Sequence, residues 1–302
     1  MRRAALVLVA LTTTLGLAAC GGGDTATDAT GTTDDTTTVV ASTNVYGSIA
    51  SAIAGDAATV TSIIDDPSAD PHSYEASTRT QLELSRADVV VENGGGYDDF
   101  VDTMLDAVDG ADPAVLNAVE LSGKDTSGEF NEHVWYDVPT VRKVAGAIEA
   151  ALAEASPADA ATFEANADAL DARLAELEQR IADAAATTAG APVAVTEPVP
   201  GYLLDALGAE NRTPEEFSEA IEEETDVPAD ALQETLALFP SGQVRALVHN
   251  EQTTGPQTEQ VLRAAETADV PVVPVTETLP EGEDYVSWMN ANVDAVVSAL
   301  TA

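Results

Sequence analysis

Beyond Thr38 the chain alternates two kinds of apolar pattern. Short, nearly continuous apolar runs occur at Val39 to Ala41, Thr59 to Ile64, Asp88 to Val91, Val193 to Thr196, Val244 to His249 and Val272 to Val275. They are rich in β-branched residues and lack the in-out alternation of a half-exposed strand, so each predicts a parallel strand buried on both faces. Between them lie helix-like stretches such as Val45 to Ala54, Ser77 to Ser85, Tyr97 to Val108, Val138 to Glu154, Gly201 to Leu207, Ala229 to Phe239 and Gly255 to Thr267. This order predicts an α/β fold, with mostly parallel sheets flanked by helices.

The longest periodic stretch lies in the middle. Apolar residues at Phe163, Ala167, Leu170, Leu174, Leu177, Ile181 and Ala184 follow a three-four repeat. With Ser156 as N-cap and Pro157 at the first helical position, they predict one helix from Pro157 to Thr187. At 1.5 Å per residue it would be about 46 Å long, longer than a small lobe is wide. The spacing would also suit a coiled-coil dimer. The α/β pattern on both sides favours a spine, dividing the body into an N-terminal lobe (38–156), a linking helix (157–188) and a C-terminal lobe (189–302).

The first residues follow a different logic. Arg2 and Arg3 precede an apolar run, Ala4 to Leu17, that is short for a membrane span and ends in Ala18-Ala19. This is the pattern of a signal peptide, residues 1–19. Leu17-Ala18-Ala19-Cys20 resembles a bacterial lipobox, and Cys20 is the sole cysteine of the chain. The resemblance implies a lipid anchor on Cys20. Most of the following segment is Gly, Thr and Asp, which cannot bury enough to order itself, so 20–37 is expected to be a flexible tether.

The chain has 302 residues, 53 of them acidic and 12 lysine or arginine, for a formal net charge of −41. That excludes electrostatic binding of nucleic acid. At 45% apolar residues a large core is still possible. The acids are spread along the chain. Being spread, they favour a solvated shell, as in adaptation to high salt, over a field that concentrates cations. A single cysteine excludes an internal disulfide and a thiolate metal cluster.

Candidate chemistry is sparse enough to locate. The three histidines are His72, His133 and His249. His72 lies in the turn-rich Asp70-Pro71-His72-Ser73-Tyr74, and His133 at the entrance to the helix beginning near Val138. Neutral imidazole is the commonest nitrogen ligand of divalent metals. In the C-terminal half, Glu197 and Glu277 each follow an expected strand, and open α/β sheets bind ligands beyond the carboxyl ends of their strands. His249 is expected at the end of a strand, hydrogen-bonded or solvated, with Glu251 as a reserve ligand.

Taken in order, these features resemble a known family. The lipobox, Asp70-Pro71-His72, His133-Val134-Trp135-Tyr136-Asp137, the long central helix, Thr196-Glu197-Pro198 with Gly201-Tyr202, and Thr276-Glu277-Thr278 are similar to the metal-binding solute-binding lipoproteins of ABC importers, the zinc/manganese-type cluster A-I. The resemblance covers about 38–302. It implies four metal ligands, His72, His133, Glu197 and Glu277, two from each lobe. Two departures stand out. Relatives usually carry Asp-Pro before the second histidine, where this chain has Asn131-Glu132, and many carry Asp where this chain has Glu277.

Two nitrogens and two carboxylates suit Zn²⁺ or Mn²⁺, with Fe²⁺ also possible. The histidine-rich loop common in zinc-specific relatives is missing from Val119 to Asn131. The resemblance implies a monomeric, non-enzymatic protein. It would be exported and anchored by lipid to the outer face of the bacterial cytoplasmic membrane, delivering its ion to an ABC permease served by a separate ATPase. The chain itself has no G-x-x-x-x-G-K-[S/T] phosphate loop. The other classes considered are a surface adhesin or structural lipoprotein, and a metal-dependent hydrolase.

Overall fold

The computed structural model describes residues 36–302 except 68, 70, 72, 73, 75, 109, 111 and 129. The expected signal peptide, Cys20 and nearly all of the tether lie outside the described residues, as does His72.

The first half runs β1 (Thr37–Thr43), α1 (Asn44–Ala54), β2 (Ala58–Ile64), α2 (Thr78–Leu84), β3 (Val89–Glu92), α3 (Phe100–Asp106), β4 (Ala114–Asn117), α4 (Ala118–Ser122), a 3₁₀ turn (Val134–Tyr136) and α5 (Val138–Ala155). After the long α6 (Ala160–Thr188) come β5 (Pro192–Val195), α7 (Gly201–Ala206), β6 (Glu210–Asn211), α8 (Glu215–Glu222), α9 (Ala229–Ala237), β7 (Ala246–Asn250), α10 (Pro256–Thr267), β8 (Val272–Val275) and α11 (Tyr285–Thr301). The six expected strands are all present. The structure adds the edge strands β4 and β6 and the helices α4, α8 and α11.

Each half forms one four-stranded parallel sheet, ordered β2-β1-β3-β4 in the first and β6-β5-β7-β8 in the second. In both, the chain order reverses beside the first strand of the half, and this is where open sheets form their ligand crevice. Side chains alternate between faces as the pleat requires. Val39, Ala41, Val89 and Val91 of the first sheet and Val193, Val195, Ala246 and Val248 of the second face one continuous core. Their neighbours Val40 and Val90 pack outward with Leu84 and Val101. Ala194 and Leu247 do the same with Phe217 and Val261. The central runs β1, β3, β5 and β7 are therefore buried on both faces, whereas β2 and β8, at sheet edges, are only partly buried, contrary to expectation. The inner core is shared by the two lobes.

The long helix begins at Ala160, three residues later than the periodicity predicts. The reason is α5, which runs on to Ala155 and takes Ser156 as its own C-cap, through Ser156 N–H to Leu152 O. Pro157 cannot extend α5, so residues 157–159 make the turn and Ser156 Oγ bonds Asp159. At 29 residues α6 is about 44 Å long. It buries Phe163, Leu170, Leu174, Leu177 and Ile181, a stripe used within the chain. Arg142 of α5 makes a bidentate bond to Asp171 and a third bond to Glu178 of α6. On the other side Arg173 binds Asp284, and Arg180 binds Asn290 and Asp294 of α11. The spine is thereby fastened to elements of both halves.

Candidate metal centre

His133 comes just before the 3₁₀ turn Val134–Tyr136, so its backbone leaves a loop and its ring is completely buried. Tyr97 and Trp135 pack edge-on or tilted against it at centroid distances of 6.0 and 5.0 Å. Its Nδ1 lies 2.8 Å from Asn131 Oδ1, which also accepts the His133 backbone N–H at 3.0 Å. An acceptor at Nδ1 places the proton there and makes Nε2 the ligating nitrogen of the ring. Asn131 is itself held from the second half. Its Nδ2 donates to Pro198 O at 2.9 Å, and Tyr202 donates its hydroxyl to Asn131 O. The departure at Asn131 thus supplies the support that orients His133.

Glu197 and Glu277 arrive from the other half. Glu197 follows β5 after one residue and Glu277 follows β8 after one residue; they are 2% and 1% exposed. Asn250, the last residue of β7 and 1% exposed, joins them. Its Nδ2 donates to Glu197 Oε2 and, at 2.8 Å, to Glu277 Oε1. Asn250 is fixed in turn by its backbone N–H to Thr196 Oγ1. The other oxygen of Glu277 lies 3.9 Å from His133 Nε2, and Tyr97 hydrogen-bonds Glu277 from the first half. Burial and the Glu277 charge push the Tyr97 phenol well above its ordinary range, so it stays a donor.

Gln252, two residues beyond Asn250, links the loops. Its Oε1 accepts the backbone N–H of Glu277, and its Nε2 donates to Ala69 O at 2.8 Å and to Thr278 Oγ1. The loop that leads toward position 72 is thus tied to the Glu277 loop.

Two carboxylates that sequence reading did not single out, Glu132 and Glu222, join the cluster. Glu222, at the end of α8, places Oε1 3.3 Å from His133 Nε2 with its side chain 8% exposed. Donor atoms of Glu132, His133 and Glu222 all lie within 4.8 Å of one another. Glu222 is raised to about 11, first by burial, then by the charges of Glu132, Glu277 and Glu197, and by its hydrogen bond to Glu132. Four carboxyl groups in one buried cluster, Glu132, Glu197, Glu222 and Glu277, are mutually repulsive unless protons or a cation compensate them. The signal for Glu132 was its adjacency to His133. For Glu222 there was none beyond Phe217 and Ile221, spaced to seat a short helix.

Of the expected residues, the structure brings together His133, Glu197 and Glu277, while His72 is outside the described residues. Glu251 is exposed and bonds only through its backbone to Val275 O among the described contacts, so it is not part of the cluster. His249 is 7% exposed in β7, with Nδ1 3.3 Å from Thr196 Oγ1, and burial lowers its pKa.

A two-lobed α/β protein with a buried nitrogen-and-carboxylate cluster between its sheets defines a cation-binding class. Residues 39–299 match the family described as zinc-uptake complex component A, periplasmic (ZnuA), and the chain belongs to that family. It is 27% identical over 252 residues to the manganese-binding lipoprotein MntA of Halalkalibacterium halodurans, covering 78% of this chain and 83% of that protein. It is 24% identical over 326 residues to the manganese ABC transporter substrate-binding lipoprotein ScaA of Streptococcus gordonii, covering 99% of each. Among solved structures, the periplasmic zinc-binding protein TroA from Treponema pallidum has the same fold, with a TM-score of 0.74 at 20% identity over 88% of this chain and 99% of that one. Proteins of this family are solute-binding components of importers and not enzymes.

Proposed function

We propose that this protein captures a divalent transition-metal ion, manganese, zinc or iron, between its two lobes and delivers it to an ABC permease driven by a separate ATPase. The observation that carries the reading is the buried convergence of His133 from the first half with Glu197 and Glu277 from the second. A dication suits such a set, because carboxylates sharing a dry site stay ionised together only when a cation compensates them. His72 is the remaining proposed ligand. The lobes are taken as 38–156 and 189–302 about the linking helix 157–188. The shared core and the pinned spine favour a small closure on binding over a wide hinge.

The relatives named above as lipoproteins support a lipid on Cys20, holding an exported monomer at the outer face of the cytoplasmic membrane. The acidic surface would then keep the body off anionic lipid.

The test is metal loading of residues 36–302, with native mass spectrometry and elemental analysis after exposure to equimolar Mn²⁺ and Zn²⁺. One ion per chain is expected in the wild type, with affinity lowered at least 100-fold for both ions in His133→Ala. A wild type that retains no stoichiometric metal would overturn the reading.

A further inference from the structure

We propose that Glu222 is a direct ligand of the captured ion, and that its carboxylate tips the site toward a hard, oxygen-preferring dication of the Mn²⁺ class over Zn²⁺. The inference rests on the metal-capture reading above and adds a ligand from α8 that the family resemblance does not supply.

Distance is the first argument. Two donors that share one cation, each with a bond of about 2.0–2.2 Å, lie roughly 3.0–3.5 Å apart along an edge of the coordination polyhedron. Glu222 Oε1 and His133 Nε2 are 3.3 Å apart, a closer pairing than the 3.9 Å between His133 Nε2 and Glu277 Oε2. The imidazole nitrogen involved is Nε2, the one turned away from Asn131, so Glu222 faces the ligating atom of the ring.

Placement is the second. Glu222 is the last residue of α8, where the exposed carbonyl ends of the helix disfavour an added negative charge. Seating α8 requires only its buried face, Phe217 and Ile221, which pack into the outer core of the second sheet. The end of the helix is also held in a demanding conformation. Glu224 has φ +51°, a left-handed position usually given to glycine, and Thr225 N–H reaches back to Ala220 O. The backbone is thus fixed just beyond Glu222, at a site where the helix itself gains nothing from an acid.

The third argument is the approach. Glu215, Glu219 and Glu222 recur at four- and three-residue spacing and line the same cavity of about 630 Å³, with Glu132 and Asp205. Glu222 and Glu132 therefore face both this cavity and the His133 ring.

The chemistry follows from the donor set. With Glu222 present, the described donors are one nitrogen and carboxylate oxygens from both halves. Zn²⁺ is satisfied by four ligands and favours nitrogen or sulfur, whereas Mn²⁺ accepts more oxygens and higher coordination. An added carboxylate therefore helps Mn²⁺ more than Zn²⁺.

The test measures dissociation constants for Mn²⁺ and Zn²⁺ by chelator competition in wild type, Glu222→Gln and Glu222→Asp, with thermal melts of each apo protein. Glu222→Gln is expected to weaken Mn²⁺ at least tenfold and Zn²⁺ less than threefold, and Glu222→Asp to shift the Mn²⁺/Zn²⁺ ratio the same way by a smaller factor. Unchanged affinities, or equal losses for both ions, would overturn the proposal while leaving metal capture intact. Failure of both variants to fold would overturn it too, since it would make Glu222 a structural residue. Absence of metal in the wild type would instead remove the underlying reading.

Discussion

The two halves of the molecule have the same strand order and supply the site by different means. In the second half the donors sit at strand ends. Glu197 follows β5, Asn250 ends β7 and Glu277 follows β8, so the sheet edge itself forms a row of polar groups held by Asn250. In the first half the corresponding strand ends turn away from this work. Glu92 ends β3 and is paired in register with Asn117 of β4, whose Nδ2 donates to Glu92 Oε1 at 2.7 Å. The nitrogen donor comes instead from the loop before α5, aimed by a side chain, Asn131. Strand register brings both carboxylates within reach of one amide, Asn250, whereas an imidazole on a loop needs a partner of its own to set its tautomer and direction.

This contrast can be broken at its supports. The largest effect is expected from Asn250→Ala, which frees both Glu197 and Glu277, against Asn131→Ala, which frees only the His133 ring. Metal affinity should fall about 10–100-fold in each, with Asn250→Ala the worse, as is usual for groups that orient ligands. Isothermal titration of both variants decides the order. If Asn131→Ala costs more, the loop donor and not the sheet edge governs the site.

A smaller effect distinguishes the two matching strand ends. Glu92 is raised to about 7, chiefly by burial, with Asp98, Asp102 and Glu120 adding to it and the Asn117 bond opposing. Its folded value is above the unfolded one, so the folded state holds this proton and stability is lost as pH rises from about 4.5 through 7. Glu92→Gln removes that loss. Chemical denaturation should show variant and wild type equal near pH 4 and the variant more stable by on the order of 1 kcal/mol at pH 8. A constant difference across this range would place the cause elsewhere.

The smallest effect tests the end of α8. Glu224→Gly relieves the left-handed residue and should stabilise the apo protein by about 1 kcal/mol without changing Mn²⁺ affinity. A thermal melt and a titration check the two parts. A change in affinity would mean that the strain at Glu224 helps to aim Glu222.

How far each feature can be read from the chain follows from the strength of its pattern. The strands β1, β3, β5 and β7 are legible because burial on both faces demands unbroken β-branched runs, and β2 and β8, though partly exposed, still carry such runs. The edge strands β4 and β6 offer no such run. β6 is the two residues Glu210–Asn211, and β4 begins with two exposed residues. The segment carrying α8, Glu-Glu-Phe-Ser-Glu-Ala-Ile-Glu, reads as solvated charge because only two large apolar residues anchor it.

By itself, then, the sequence determined the α/β alternation, the long helix to within three residues at its start, and the strand-end positions of Glu197 and Glu277. Those properties follow from local periodicity, and the strand-end rule converts them into positions. Only the tertiary structure decided that His133, Glu197 and Glu277 meet, that Asn131 and Asn250 hold them, and that Glu132 and Glu222 join them. These groups are far apart along the chain, and one acid among 53 carries no local mark of the few that folding takes out of water.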